Sequence, residues 1–258
     1  MIHFVGAGPG AVDLITVRGM KLIEEADVII YAGSLVNPRL LDYAKRKPDI
    51  YNSAEMTLEE VSEVMLTADK EGKSVVRLHT GDQSIYGAIR EQMDILDAKG
   101  AEYDSTPGVS ACFGAAASLN IEYTLPDVTQ TLIITRMEGK TAVPGRESIE
   151  SLASHKASMA VYLSVGMAYE LSQKLITGGV APQTPAAIVY KATWPEEKTV
   201  ICTVATLGES AKEAGITKTA IILVGDAVTH TDYSRSKLYD PDFSTEYRTA
   251  GKGSGNKG

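Results

Sequence analysis

The chain opens with an apolar run, Ile2-His3-Phe4-Val5, that passes without a spacer into Gly6-Ala7-Gly8-Pro9-Gly10. Three glycines around one proline cannot prolong a strand and cannot start an ordinary helix. Glycine admits positive φ and close approach of a backbone, while proline stiffens the turn and removes a donor. A loop of this kind at the carboxyl end of a parallel strand is where open α/β sheets hold their ligands. The chain is therefore expected to begin with a binding loop; a strand-to-helix turn of purely structural purpose is the alternative.

Two nucleotide readings compete for this loop and its neighbours. Gly6 and Gly8 imitate the dinucleotide fingerprint, which opens its helix at the glycines and places an acid about 20 residues on for the ribose. Here Pro9-Gly10 intervene, and the helix is predicted to start only near Thr16. The next strand, Asp27-Val28-Ile29-Ile30-Tyr31, ends in Ala32-Gly33 with no acid at its tip. Gly72-Lys73-Ser74 imitates a phosphate loop, but Thr67 stands where the upstream glycine is required, so it reads as the loop that ends a helix.

With 258 residues, 44% of them hydrophobic, the chain can bury a full core in one or two domains. A formal charge of −8 argues against a dedicated nucleic-acid-binding protein, which carries a basic footprint. Cys112 and Cys202 lie far apart in apolar stretches and read as small core residues, not as a disulfide framework. The four histidines, His3, His79, His155 and His230, are scattered without metal-ligand spacing, so no protein-bound metal is expected. No cleavable signal segment and no apolar run of about 18 residues is visible. The expectation is a soluble, cytoplasmic protein that does not enter a membrane.

Strand-like and helix-like stretches alternate. Strands are predicted at 2–5, 27–31 and 74–78, amphipathic helices at 16–25, 57–70 and 87–99, and a further helix from Pro107-Gly108 to about Leu119. This order implies a mainly parallel, helix-flanked sheet. The segment 121–127 reads as a linker. Beyond it, runs at 130–135, 159–163, 187–190 and 219–224 are separated by a long polar loop, Arg136–Glu147, and by helical segments. The expected organisation is an α/β lobe over 1–120, a linker at 121–127, a second α/β lobe over 128–228, and a partly mobile tail over 229–258.

Three more loops carry the argument to a family. Tyr31-Ala32-Gly33-Ser34-Leu35-Val36 follows the second strand, Thr80-Gly81-Asp82-Gln83-Ser84-Ile85-Tyr86-Gly87 follows Val75–His79, and Thr106-Pro107-Gly108-Val109-Ser110-Ala111 feeds a small-residue helix. In this order and spacing, with the opening loop, they resemble the motifs of the tetrapyrrole (corrin and porphyrin) methylases, over roughly residues 1–228. Tyr31–Val36 and Ser53-Ala54-Glu55-Met56-Thr57-Leu58-Glu59-Glu60 are similar to the precorrin-4 C11-methyltransferase branch.

The resemblance implies a homodimer of two-lobed α/β subunits with the methyl donor, S-adenosylmethionine, folded into the cleft between the lobes. The donor would meet Pro9, Gly81, Asp82, Ile85, Ser110 and Ala111, and from the second lobe Leu163, Ala187 and Ala220. The tetrapyrrole, precorrin-4 or its cobalt form, would lie in a trough against Gly8, Gly10, Ser34, Arg39 and Tyr86. A sulfonium donor carries an electrophilic carbon that an electron-rich tetrapyrrole carbon can attack in line, leaving S-adenosylhomocysteine. The protein's task is then positioning and exclusion of water, and orientation can supply roughly 7–11 kcal/mol.

Uroporphyrinogen methyltransferases, a sister branch, carry Tyr-Asp after the second strand and a lysine further on. Ala32 and Ser53-Ala54-Glu55 stand here instead, so that proton handling is not carried over and the catalytic base is unassigned. Arg39, Arg136 and Lys191 are candidate partners for the substrate's carboxylates. Met137, Met167 and Tyr162 are candidates for an apolar wall, with ordinary core packing as the alternative. Trp194-Pro195-Glu196-Glu197 is a candidate lobe-interface loop. Two other functions stay open: a methylase of this fold acting on uroporphyrinogen III, diphthine or ribosomal RNA, and a nucleotide-binding module without chemistry.

Overall fold

The computed structural model describes residues 1–229 and 232–251. The first sheet contains β1 (Ile2–Gly6), β2 (Val28–Tyr31), β3 (Asp49–Asn52), β4 (Val75–His79) and β5 (Tyr103–Thr106), in the order β3-β2-β4-β1-β5. Every pairing in it is parallel. Parallel strands need crossovers, and α1 (Val17–Glu25), α2 (Leu58–Lys70) and α3 (Arg90–Lys99) supply three of them. One face of the sheet packs around Val5, Ile23, Ile29, Leu40 and Leu78; the other packs around Phe4, Ile30, Val61, Met65 and Leu96.

Local sequence sets the helix starts. Thr16 caps α1 by accepting the Gly19 N–H at 3.1 Å, and Thr57 with Glu60 forms a capping box on α2. The chain turns at Glu71-Gly72 after α2, so Gly72-Lys73-Ser74 is the helix-ending loop that its composition indicated. α3 begins later than the predicted 87, because Tyr86 and Ala88 hold φ of 54° and 48°, which a right-handed helix cannot include.

The short helix α4 (Ala111–Leu119) leads to a second sheet of β6 (Leu132–Arg136), β7 (Ser158–Tyr162), β8 (Pro185–Tyr190), β9 (Lys198–Thr203) and β10 (Ala220–Val224), ordered β6-β7-β10-β8-β9. β6 and β7 run parallel, and the other pairings are antiparallel. One face is covered by α5 (Ile149–Ala153), α6 (Ala168–Thr177) and α7 (Leu207–Glu213), around Leu171, Leu175, Ile188, Leu207 and Ile222. The other face receives α4, whose Cys112, Ala115 and Ala116 pack with Ala160, Ala187 and Leu223. Small side chains on both partners let this helix lie close to the sheet. The segment 121–127 is tied down as well: the Tyr123 hydroxyl donates to the Cys112 carbonyl at 2.6 Å, and the Ser158 hydroxyl donates to the Tyr123 carbonyl at 2.8 Å.

The architecture is thus α/β, with two helix-flanked five-stranded sheets. β3, β5 and β9 were not predicted. All three are edge strands of their sheets with largely exposed residues, so β3 and β5 carry no apolar run and β9 only the short Val200-Ile201-Cys202 between polar residues. Cys112 is buried and Cys202 half-buried, both as free thiols. Residues 232–251 curl around Arg248, whose guanidinium donates to the carbonyls of Leu238, Asp240 and Phe243. The expected mobile end, 252–258, and His230 lie outside the described residues. Among the described residues no helix is long and apolar enough to cross a membrane.

Candidate functional site

β4, β1 and β5 are neighbours, so the loops that follow them meet at one edge of the first sheet although they are far apart in sequence. Gly8 and Gly81 exchange N–H···O bonds of 3.1 and 2.9 Å. Both hold positive φ, +79° and +60°, a region glycine enters freely. Gly108 lies against them so closely that a Cβ there would stand 2.1 Å from the Gly81 carbonyl oxygen. The glycines expected to admit a ligand also let three loops touch through their backbones.

Asp82 clasps the second loop to the third. One carboxylate oxygen accepts the Ser84 N–H at 2.9 Å and the Ser84 hydroxyl; the other accepts the Gly108 N–H at 2.8 Å. Burial pushes this carboxyl up, but those donors outweigh it and hold the group below its ordinary value. Ile85 follows, half-buried, with its N–H on the Asp82 carbonyl at 3.2 Å. Tyr86 is exposed, with its ring 5.6 Å from that of Tyr162.

Tyr162, at the end of β7, brings the second sheet to this cluster. Its hydroxyl lies 2.8 Å from the Ser110 hydroxyl and accepts the Cys112 N–H at 2.9 Å, at the start of α4. Burial pushes its phenol well above the ordinary range. Ser110 is buried and Ala111 half-buried beside it. The next residue along, Leu163, is 68% exposed and holds φ of +56°, an uncommon state for a branched side chain. Ala220 opens β10 and is half-buried opposite Tyr190. Ala187 is fully buried in the middle of β8, among the residues that receive α4, and presents no surface to the cleft.

The Pro9-Gly10 turn is gripped from both sides. The Asn37 amide donates to the Gly10 carbonyl at 2.8 Å, and the Trp194 indole N–H donates to the Pro9 carbonyl at 3.0 Å. The Ala11 N–H donates to the Thr193 hydroxyl at 3.0 Å. Glu197 accepts from the Ser118 hydroxyl of α4 and from the Thr193 N–H. The loop around Trp194 therefore spans the two sheets, as its sequence suggested, and Pro9, Gly8 and Gly10 are buried under it.

A cleft of about 250 Å³ opens next to this turn, lined by Ala11, Asp13, Asn37, Arg39, Trp194 and Pro195 among others. Of the three cations expected to meet substrate carboxylates, Arg39 is exposed and makes no ion pair among the described residues. Arg136 instead braces its own loop, donating to the carbonyls of Met137, Thr141 and Ala142. Lys191 lies 3.6 Å from Glu196 and over the Trp194 ring. The side chain of Ser34 lies outside the described residues; its backbone belongs to the 3-10 turn Gly33–Leu35.

His79 sits beneath the second loop. It is 4% exposed, stacked on Phe4, and its Nε2 has no partner. Burial, helped by the Arg77 charge, pushes its pKa down to about 3, so it is neutral at neutral pH. His3 pairs with Asp104 and His155 is exposed. Met137 and Met167 belong to the second core.

The structure thus brings Gly8, Pro9, Gly10, Gly81, Asp82, Ser110 and Ala111 into one cluster, which Tyr162 joins through Ser110, with the exposed Leu163 the next residue in sequence. Sequence reasoning missed Asn37 and Thr193, whose side chains hold the backbone of the first loop, and it missed the bridging hydroxyl of Tyr162. No motif marks them. Backbone groups, small side chains and one exposed leucine form a surface suited to positioning a ligand between two sheets.

The two-sheet fold is shared with uroporphyrin-III C-methyl transferase from Thermus thermophilus, solved in complex with S-adenosylhomocysteine, which superposes with a TM-score of 0.73 at 23% identity, covering 88% of this chain and 98% of that one. The chain belongs to the Tetrapyrrole (Corrin/Porphyrin) Methylases, whose family model matches residues 1–208. It is 53% identical to a cobalt-precorrin-4 C(11)-methyltransferase of Methanocaldococcus jannaschii, over 97% of each chain. It is 45% identical to the enzyme of the same name in Priestia megaterium, over 96% of this chain and 97% of that one. The solved structure of a cobalt precorrin-4 methyltransferase, a cobalamin biosynthetic enzyme, superposes with a TM-score of 0.86 at 46% identity, covering 88% and 95%.

Proposed function

We propose that this chain transfers the methyl group of S-adenosylmethionine to C11 of cobalt-precorrin-4 in cobalamin biosynthesis. The observation that carries the reading is similarity along nearly the whole length of two enzymes of that name, at 53% and 45% identity. The metal-free precorrin-4 is the second form of the substrate, since a precorrin-4 C(11)-methyltransferase of a Sinorhizobium species is 38% identical over 97% of this chain.

On this reading the donor lies along Gly81, Asp82, Ile85, Ser110 and Ala111, with Leu163 and Ala220 facing it from the second sheet and Ala187 behind that wall. Pro9 faces the methyl group. The tetrapyrrole occupies the cleft beside Gly8 and Gly10, with Ser34, Arg39 and Tyr86 at its margin. Residues 1–120 and 128–228 act as the two lobes, joined by 121–127. α4 is the keystone between them, because it lies on the second sheet while its first residues carry the donor site. The working form is a cytoplasmic homodimer.

The chemistry supports this division. Attack of an electron-rich carbon on the sulfonium methyl needs collinear alignment and a dry site. Loops locked to each other through backbone hydrogen bonds hold such an alignment without reorganisation. Calorimetric titration with S-adenosylhomocysteine is the first test: saturable, roughly micromolar binding supports the donor site. Incubation with S-adenosylmethionine and precorrin-4, with and without cobalt, then identifies the methylated carbon by NMR. Absence of donor binding by the folded protein overturns the methyltransferase reading.

A further inference from the structure

Arg77 stands in the middle of an otherwise apolar strand, β4, and is 5% exposed. Its Nε donates to the Gln92 side chain at 3.1 Å, and its Nη1 donates to the carbonyls of Ile30 and Leu78 at 3.3 and 3.5 Å. Its Nη2 makes no hydrogen bond, and no carboxylate lies within ion-pair distance among the described residues. A buried guanidinium without a counter-charge is a costly arrangement. Burial alone accounts for its lowered pKa, about 10, so it remains charged at neutral pH.

The guanidinium borders a cavity of about 170 Å³ on the α2–α3 side of the sheet. The cavity is also lined by Ser53, Thr57 and Leu58 at the start of α2, and by Ala88 and Gln92 after the second loop. Glu91, an exposed carboxylate, stands in the same lining. The first turn of α2 adds the positive end of a 13-residue helix. The position is at the carboxyl edge of the parallel strands, the same edge that carries the glycine loops.

From this cavity, its uncompensated guanidinium and its place at the strand ends we infer that Arg77 binds a carboxylate of the substrate, an acetate or propionate arm of the tetrapyrrole. The assignment of the arm rests on the function proposed above; the oxyanion pocket itself does not. Arg39 meets carboxylates in the cleft by the Pro9 turn, whereas Arg77 receives one on a guanidinium that the sheet itself buries on its other sides, where a charge-assisted bond is stronger. Arg77 is thus a binding and specificity residue: it selects a substrate whose arm is long enough and ionised.

The test uses the free protein and sodium propionate, followed by NMR of ¹³C-carboxyl propionate at constant ionic strength. Wild type is expected to bind propionate saturably, with Arg77→Gln at least tenfold weaker and methyl propionate not binding. Leu58→Trp keeps Arg77 but fills the cavity from the α2 side, so it carries the same expectation if Arg77→Gln does not fold. No saturable binding by wild type, or equal binding by a folded Arg77→Gln or by Leu58→Trp, overturns the pocket. Inorganic phosphate bound more tightly than propionate, in an Arg77-dependent manner, overturns the assignment to a substrate arm. A separate titration with S-adenosylhomocysteine keeps the two readings distinguishable: propionate binding without donor binding leaves the pocket standing and removes the methyltransferase.

Discussion

His79 and Asp82, three residues apart, respond to pH in ways that can be worked out from their surroundings. His79 is neutral in the folded chain with a pKa near 3, against about 6.5 when unfolded. Below pH 6.5 the unfolded state takes up a proton that the folded state refuses. Stability is therefore lost as pH falls from about 6.5 to 3, at about 1.4 kcal/mol per pH unit for this one group. Replacing His79 with Leu is expected to flatten that slope by one proton, as read from urea midpoints between pH 4 and 7, and to cost little at pH 7 because Nε2 has no partner to lose. Asp82 behaves oppositely in origin. Its lowered pKa means that its contribution is fully present above the ordinary aspartate range and fades as pH falls through the folded value. Asp82→Ala leaves the Gly108 and Ser84 N–H groups without their acceptor and is expected to cost about 1–3 kcal/mol in urea unfolding. Asp82→Asn keeps one acceptor oxygen and turns an NH2 toward the other N–H, so it too loses part of the clasp; in the folded variant, roughly tenfold weaker S-adenosylhomocysteine binding is expected if the carboxylate meets the donor, and unchanged affinity reduces it to a clasp. A larger side chain at Ala187 makes a poor probe of the donor pocket, since it would push α4 off the sheet before it reached a ligand.

At the scale of elements, the glycine loops act as interlocking parts. Gly108→Ala would drive a Cβ into the Gly81 carbonyl and is expected to cost about 1–3 kcal/mol through overpacking. Gly145→Ala, in a 3-10 turn with nothing within 4 Å, is the control and should leave the urea midpoint unchanged. The same loops mark how far the sequence could be read. β1, β2, β4, β7, β8 and β10 announce themselves as apolar runs, because neighbours on both sides exclude water, and the edge strand β6 does so because Ile133 packs on one core and Leu132 and Ile134 on the other. β3, Asp-Ile-Tyr-Asn, and β5, Tyr-Asp-Ser-Thr, are held by pairing on one side only, so their composition resembles a loop. The loop motifs were legible because backbone contact leaves glycine little alternative. The side chains that grip those loops were not: Asn37, Thr193 and Tyr162 act by hydrogen bonds whose partners are chosen by the fold. Arg77 did leave a trace, a charge inside an apolar strand, and its meaning emerged only with the cavity beside it.

Among the described residues the two sheets are tied through Tyr162 at α4 and through Trp194 at the Pro9 turn. Trp194→Ala removes the indole from Gly10 and the donor from the Pro9 carbonyl while leaving both sheets paired. Its expected effect is a far-ultraviolet circular dichroism spectrum like that of wild type, a stability loss of about 2–3 kcal/mol for a half-buried aromatic, and at least tenfold weaker S-adenosylhomocysteine binding. Unchanged affinity would show that the turn keeps its shape without the second sheet. The contact also has a meaning in time. Pro9 and Trp194 are 185 residues apart. At a synthesis rate of about 5–20 residues per second, the Pro9 loop waits roughly 10–40 s for the residue that fastens it. A loop made early is thus finished late, and between Thr106, which completes the first sheet, and Trp194 a growing chain carries that sheet with its turn still open.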